Sequence, residues 1–98
     1  MTVAVRDNLV VFIPTSFSPD NDDNLNDVFK VSGVGFTNVR CQIYNRWGEK
    51  LLDEEDFSSW DGTYMGEKVQ SGIYIYQMTF TDYKNVRHFK NGTIQVIR

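Results

Sequence analysis

Glycines set beside large aromatic residues punctuate this chain, and they restrict its fold more than any other feature. Ile43-Tyr44-Asn45-Arg46-Trp47-Gly48-Glu49-Lys50 comes first. Trp60-Asp61-Gly62-Thr63 follows, and then Ser71-Gly72-Ile73-Tyr74-Ile75-Tyr76. Each word joins a strand-like stretch to a turn signal, so together they outline an antiparallel β domain.

The stretches between the words carry the period of two that a half-buried strand requires. Over residues 39–47, Val39, Cys41 and Ile43 fall on one face, opposite Arg40, Gln42 and Tyr44. Gly48 then turns the chain, and residues 50–53 return as the second arm of a hairpin. The longest strand is expected over residues 73–81. There Tyr74, Tyr76, Met78 and Phe80 share a face opposite Ile73, Ile75, Gln77 and Thr79. Residues 9–13 read as a first strand stopped by Pro14, which lacks an amide hydrogen. Residues 28–31 read as a short strand closed by Ser32-Gly33 and Gly35. Residues 86–89 and 93–97 read as the arms of a last hairpin, with Asn91-Gly92 as its type I′ turn. About seven strands at roughly 8–12-residue spacing, with no helical period, predict an all-β, immunoglobulin-like antiparallel β-sandwich.

A chain of 98 residues suits one domain, 1–98. Seven Phe, five Tyr and two Trp supply the apolar area that a small core needs. Net charge is −3, so no basic face for phosphate is expected and nucleic acid is not a partner. Acidic residues cluster at Asp20, Asp22, Asp23 and Asp27, and again at Asp53, Glu54, Glu55 and Asp56. Arg87, His88, Lys90 and Arg98 make the last stretch basic. These runs read as two solvated loops and a solvated edge strand. Cys41 is the single cysteine, which rules out an internal disulfide, and its alternation with Val39 and Ile43 makes it a small core residue. No run approaches the ~20 apolar residues of a membrane-spanning helix. No signal peptide follows Met1, so an exported form needs its leader on a longer parent protein. Nothing in the sequence demands a dimer.

Catalytic patterns are absent. His88 is the only histidine, and it lies in a strand with no serine or cysteine motif near it. That excludes the expectation of a Ser–His–Asp site or a zinc site, and of a small-molecule substrate. The loop residues Asp20, Asp22, Asn24, Asn26 and Asp27 place oxygens at nearly alternate positions, a spacing that suits Ca²⁺. An EF-hand would require Gly where Leu25 stands and Glu where Val31 stands. Asx-turns are the favoured reading of this loop and weak Ca²⁺ binding the alternative. Tyr44, Trp47, Tyr74 and Tyr76 fill the core and pair across strands in one reading. In the other they form an exposed patch for sugar or protein. Arg46 either stacks on a ring or meets an acidic residue.

The same words resemble the gliding motility-associated C-terminal domain, the type B sorting domain of type IX secretion in Bacteroidetes. A strand ending at Pro14 leads into Phe17-Ser18-Pro19-Asp20-Asn21-Asp22, and the loop ends in Asn26-Asp27-Val28-Phe29. Tyr44-Asn45-Arg46-Trp47-Gly48 is intact, as are Trp60-Asp61-Gly62 and Ser71-Gly72-Ile73-Tyr74-Ile75-Tyr76. The resemblance runs from about Val10 to the end, with a loop lacking the usual glycines and one residue longer. It implies a non-catalytic targeting module, without a cofactor, at the end of a larger exported protein. Such a module is read by the outer-membrane machinery and leads to the cell surface or the medium. Residues 86–98 are the expected reading surface. The alternatives are a carbohydrate-binding or adhesive sandwich, with or without Ca²⁺, and a structural spacer.

Overall fold

The computed structural model describes residues 9–20 and 27–98. Nine strands follow in chain order: β1 (Val10–Phe12), β2 (Ser16–Phe17), β3 (Ser32–Val34), β4 (Phe36–Tyr44), β5 (Lys50–Glu55), β6 (Thr63–Tyr64), β7 (Glu67–Lys68), β8 (Gly72–Asp82) and β9 (Arg87–Val96). The main sheet has the order β2-β9-β8-β4-β5, and β1-β3 and β6-β7 form two short ribbons. The fold is an all-β sandwich with one broad layer and one layer of short pieces. All its ladders are antiparallel except β2 with β9, which run parallel through Ser16↔Gln95 and Phe17↔Val96.

Alternation builds the core as the sequence requires. Val39, Cys41 and Ile43 of β4 point inward, with Tyr74, Tyr76, Met78 and Phe80 of β8 and Ile94 and Val96 of β9. Phe17 of β2 joins them from the edge of the sheet, and Phe29, Phe57 and Trp60 meet them from the opposite side, all buried. Rings tile the centre: Phe29 lies 5.7 Å from Tyr76, and Trp60 lies 5.7 Å from Tyr74. Each fully buried ring of this size contributes about 1.5–3 kcal/mol relative to exposure.

The count of nine exceeds the expected seven because the short strands β2, β6 and β7 are added, while the arms expected at residues 86–89 and 93–97 fuse into β9. The strand expected over residues 28–31 shrinks to a single bridge, where Phe29 and Trp60 exchange both backbone bonds at 2.8 Å. The ladder forms three residues beyond Phe29, where β3 begins at Ser32. There Gly33 has φ 134°, and a Cβ at this position would collide with the Val10 carbonyl oxygen. β4 begins earlier than expected, at Phe36, and its register with β8 shifts between Thr37 and Arg40 around Asn38 at φ 56°.

The expected last hairpin is overturned. β9 pairs with β8 without a break from Arg87↔Thr81 to Val96↔Gly72, and Asn91-Gly92 lies in the middle of it. Neither residue has the positive φ of a type I′ turn. Gly92 answers to packing, since a Cβ there would stand 2.9 Å from the Tyr76 hydroxyl and 3.0 Å from its ring.

Candidate functional site

β4 ends at Tyr44 and β5 starts at Lys50, so residues 45–49 must reverse the chain. Asn45 organises this turn. Its Oδ1 accepts the backbone N–H of Trp47 at 3.0 Å and of Glu49 at 2.9 Å, and its Nδ2 donates to Glu49 Oε1 at 2.9 Å. Gly48 N–H donates to the Asn45 carbonyl at 3.0 Å, and Gly48 takes φ 87°, which favours glycine. The result holds Trp47 out in solvent, 74% exposed. Arg46 covers one face of the indole, with its guanidinium carbon 4.5 Å from the ring centroid, a cation–π contact. Tyr44 is half-buried on the outer face of the sheet.

The second word does the opposite with its aromatic residue. Trp60 is buried, and its indole N–H donates to the Thr63 carbonyl at 2.9 Å. Asp61 Oδ1 accepts from the Thr63 amide at 3.1 Å and from its hydroxyl at 2.7 Å, which fixes the turn. Gly62 sits at φ 81°, wedged against the Arg98 guanidinium and Pro19. In the third word, Tyr74 and Tyr76 are buried, and Tyr74 O–H donates to the Gln70 carbonyl at 2.8 Å. Burial raises both phenols above their ordinary value.

The fold gathers the words at one end of the molecule. Asn45, Arg46 and Trp47 line a small groove with Ser71, Gly72 and Tyr74, about 80 Å³ in volume. Tyr74 in turn meets Trp60 edge to face. Arg98 closes this end. Its guanidinium donates to the Gly62 carbonyl and the Val69 carbonyl, each at 2.6 Å, and to Asp20 Oδ1 at 2.7 Å. Its backbone N–H donates to Ser71 Oγ at 3.0 Å. Far from solvated, as its sequence context suggested, the Arg98 side chain is 14% exposed. Sequence reasoning missed it because two of its partners are backbone carbonyls, which no residue pattern encodes.

Residues 11–96 of this sequence match the family of CHU_C type IX secretion signal domains. The chain belongs to that family. No curated protein matches it. As a type IX secretion signal domain it is a targeting module, and this implies interaction with the secretion machinery and export of the protein that carries it to the cell surface or the medium.

Several polar groups of this signal domain are committed to structure. Asp20 is held below the ordinary carboxylate value by its bond to Arg98, against some desolvation, and also pairs with Lys68 at 3.4 Å. Asp22, Asn24 and Asn26 lie outside the described residues, and Asp27 is half-buried. No group of three or more acidic, histidine or cysteine side chains placed to hold a metal occurs among the described residues. Asp53 takes Arg40, Gln42 and Lys50 together, and Lys50 does most to lower its carboxyl. His88 is half-buried, stacked 5.3 Å from Phe80, with Nε2 2.8 Å from Asp82 Oδ2. Cys41 is buried, and desolvation pushes its thiol up to about 12, which keeps it protonated and unreactive.

Proposed function

We propose that this domain is a folded sorting signal of a gliding or adhesion protein, and that the end assembled around Tyr74 is one of its contact points with the export machinery. The observation that carries this reading is the contrast between the two tryptophans. Trp60 is spent on the core, whereas a dedicated hydrogen-bond network holds Trp47 in solvent with Arg46 on its face. Trp and Arg are the residues most enriched at energetic centres of protein interfaces.

The test is a secretion assay in a type IX-competent host. A fluorescent reporter with an N-terminal export signal carries residues 1–98 at its C-terminus. Reporter outside the cell, dependent on the type IX machinery, supports the reading; reporter trapped in the periplasm overturns it. Trp47→Ala is expected to lower export with the domain still folded.

A second reading, a glycan-binding module using Ca²⁺ at Asp20, Asp22, Asn24, Asn26 and Asp27, draws on the exposed Trp47 ring. Against it, Tyr74 and Tyr76 are turned into the core, so the family-word aromatics supply no coplanar exposed platform. Glycan binding that depends on Ca²⁺ and is lost in Trp47→Ala would favour it.

A further inference from the structure

β9 is bordered by β8 along its whole length, but on its other side β2 covers only Gln95 and Val96. The Gln95 N–H donates to the Thr15 carbonyl and the Ile97 N–H to the Phe17 carbonyl, so odd-numbered residues of this strand aim their backbone groups away from β8. With a period of two, Arg87, Phe89, Asn91 and Thr93 aim theirs the same way. No strand among the described residues pairs with them there. An edge of this kind is a template for another strand.

A second observation lies directly beneath that edge. An open groove of about 430 Å³ runs between β1 and β9. Leu9, Val11 and Ile13 form one wall, and Tyr76 and Phe80 form the floor. His88 and Lys90 stand at the rim. On the other face of β9, Phe89 is 58% exposed. A strand laid along the lane ahead of β2 would therefore satisfy the open ladder. Its alternate side chains would enter the slot beside Leu9, Val11 and Ile13 on one face and meet Phe89 on the other.

Charge states what kind of strand. Residues 83–98 contain Lys84, Arg87, Lys90 and Arg98 and no Asp or Glu, in a chain of net charge −3. Arg98 is turned away into its own clamp, Asp82 holds His88, and Arg87 shares an outer-face groove with Glu55 and Asp56, while Lys90 is exposed at the groove rim beside the edge. Such a rim favours an acidic occupant and repels a basic one.

We infer that the β9 edge from Arg87 to Thr93 and the groove of Leu9, Val11, Ile13, Tyr76 and Phe80 form a docking lane for an extended acidic segment of a partner protein. The partner adds as a strand and alternates apolar and acidic side chains. Identifying that partner with a component of the export machinery rests on the sorting reading; the lane itself does not.

The direct test is amide hydrogen exchange on residues 1–98 with two capped eight-residue peptides. One alternates valine with glutamate and the other valine with lysine. With the glutamate peptide at ten times its dissociation constant, exchange at Phe89, Asn91 and Thr93 is expected to slow about tenfold. The lysine peptide should leave it unchanged, and Lys90→Glu should exchange the two preferences. Protection of these amides before any peptide is added means that the chain fills its own lane, and overturns the proposal. No protection with either peptide, or equal protection with both, overturns it too.

In the secretion assay, Asn91→Pro removes an outward N–H without touching the β8 ladder. It is expected to abolish export with circular dichroism unchanged, and full export by a folded Asn91→Pro domain counts against the lane. Failure of the unaltered domain to direct export would sink the sorting reading alone, and the exchange data would still decide the lane.

Discussion

Arg98→Ala would remove the Asp20, Gly62 and Val69 bonds of the guanidinium in one step. Hydrogen bonds to charged groups contribute about 1.5–3 kcal/mol, so urea unfolding should show a loss of about 2–3 kcal/mol. Arg98→Lys should recover little of it, because an ammonium lacks the planar fork that reaches two carbonyls and a carboxylate together. Acid should act through the same neighbourhood. Asp20, Asp53 and Asp82 are all lowered from the ordinary value of 3.8, by Arg98, Lys50 and His88 respectively. A depressed carboxylate stabilises the fold above its unfolded value and loses that contribution as pH falls through the folded value. The thermal midpoint should therefore hold above about pH 5 and drop below 3.8. Cys41 and Ile43 were easy to read as core by alternation, whereas alternation put Tyr74 and Met78 on one face without saying that this face was the buried one. Trp47 and Arg98 were not legible, since their fates depend on a turn network and on backbone oxygens from distant segments.

At the level of the element, β9 shows how packing overrides a local signal. Asn-Gly is a strong hairpin cue, yet Gly92 lies opposite Tyr76 and gives its ring room. Gly92→Ala should cost about 1–3 kcal/mol, as overpacking does, because Tyr76 is pinned against Phe29 and cannot yield cheaply. A true type I′ turn would tolerate Ala by a different measure, so the same variant checked by β8–β9 cross-strand nuclear Overhauser contacts separates the two cases. The 45–49 turn makes a complementary prediction. Asn45→Ala should lower stability by about 1–2 kcal/mol, since its side chain satisfies several turn groups. Trp47→Ala should stay within about 0.5 kcal/mol of the parent, because the ring is solvent-exposed. Long strands with one apolar face, β4 and β8, were legible to within a few residues. The short pieces β2, β3, β6 and β7 were not, since two or three residues are too few to display a period.

Across the whole molecule, the sequence words and the sandwich stand in a definite relation. Words far apart along the chain converge because β4 and β8 are neighbours in the main sheet and the Trp60 segment lies across its inner face. The class of fold was readable from strand spacing. The parallel β2–β9 contact was not, because nothing local marks a pairing between the two ends of a chain. That contact has a kinetic cost: ladders of such separation form late and slowly, so refolding should be slow for a domain of this size, a point that stopped-flow tryptophan fluorescence can check. The Arg98–Asp20 bond spans 78 residues. The Arg98 clamp does not exist until the opening and closing stretches of the domain have met. A receptor that read the Arg98 clamp would thereby inspect the history of each copy it met: a chain still unfolded, or folded without its last strand in place, would lack the clamp, and only a copy that had passed its own folding test would present it.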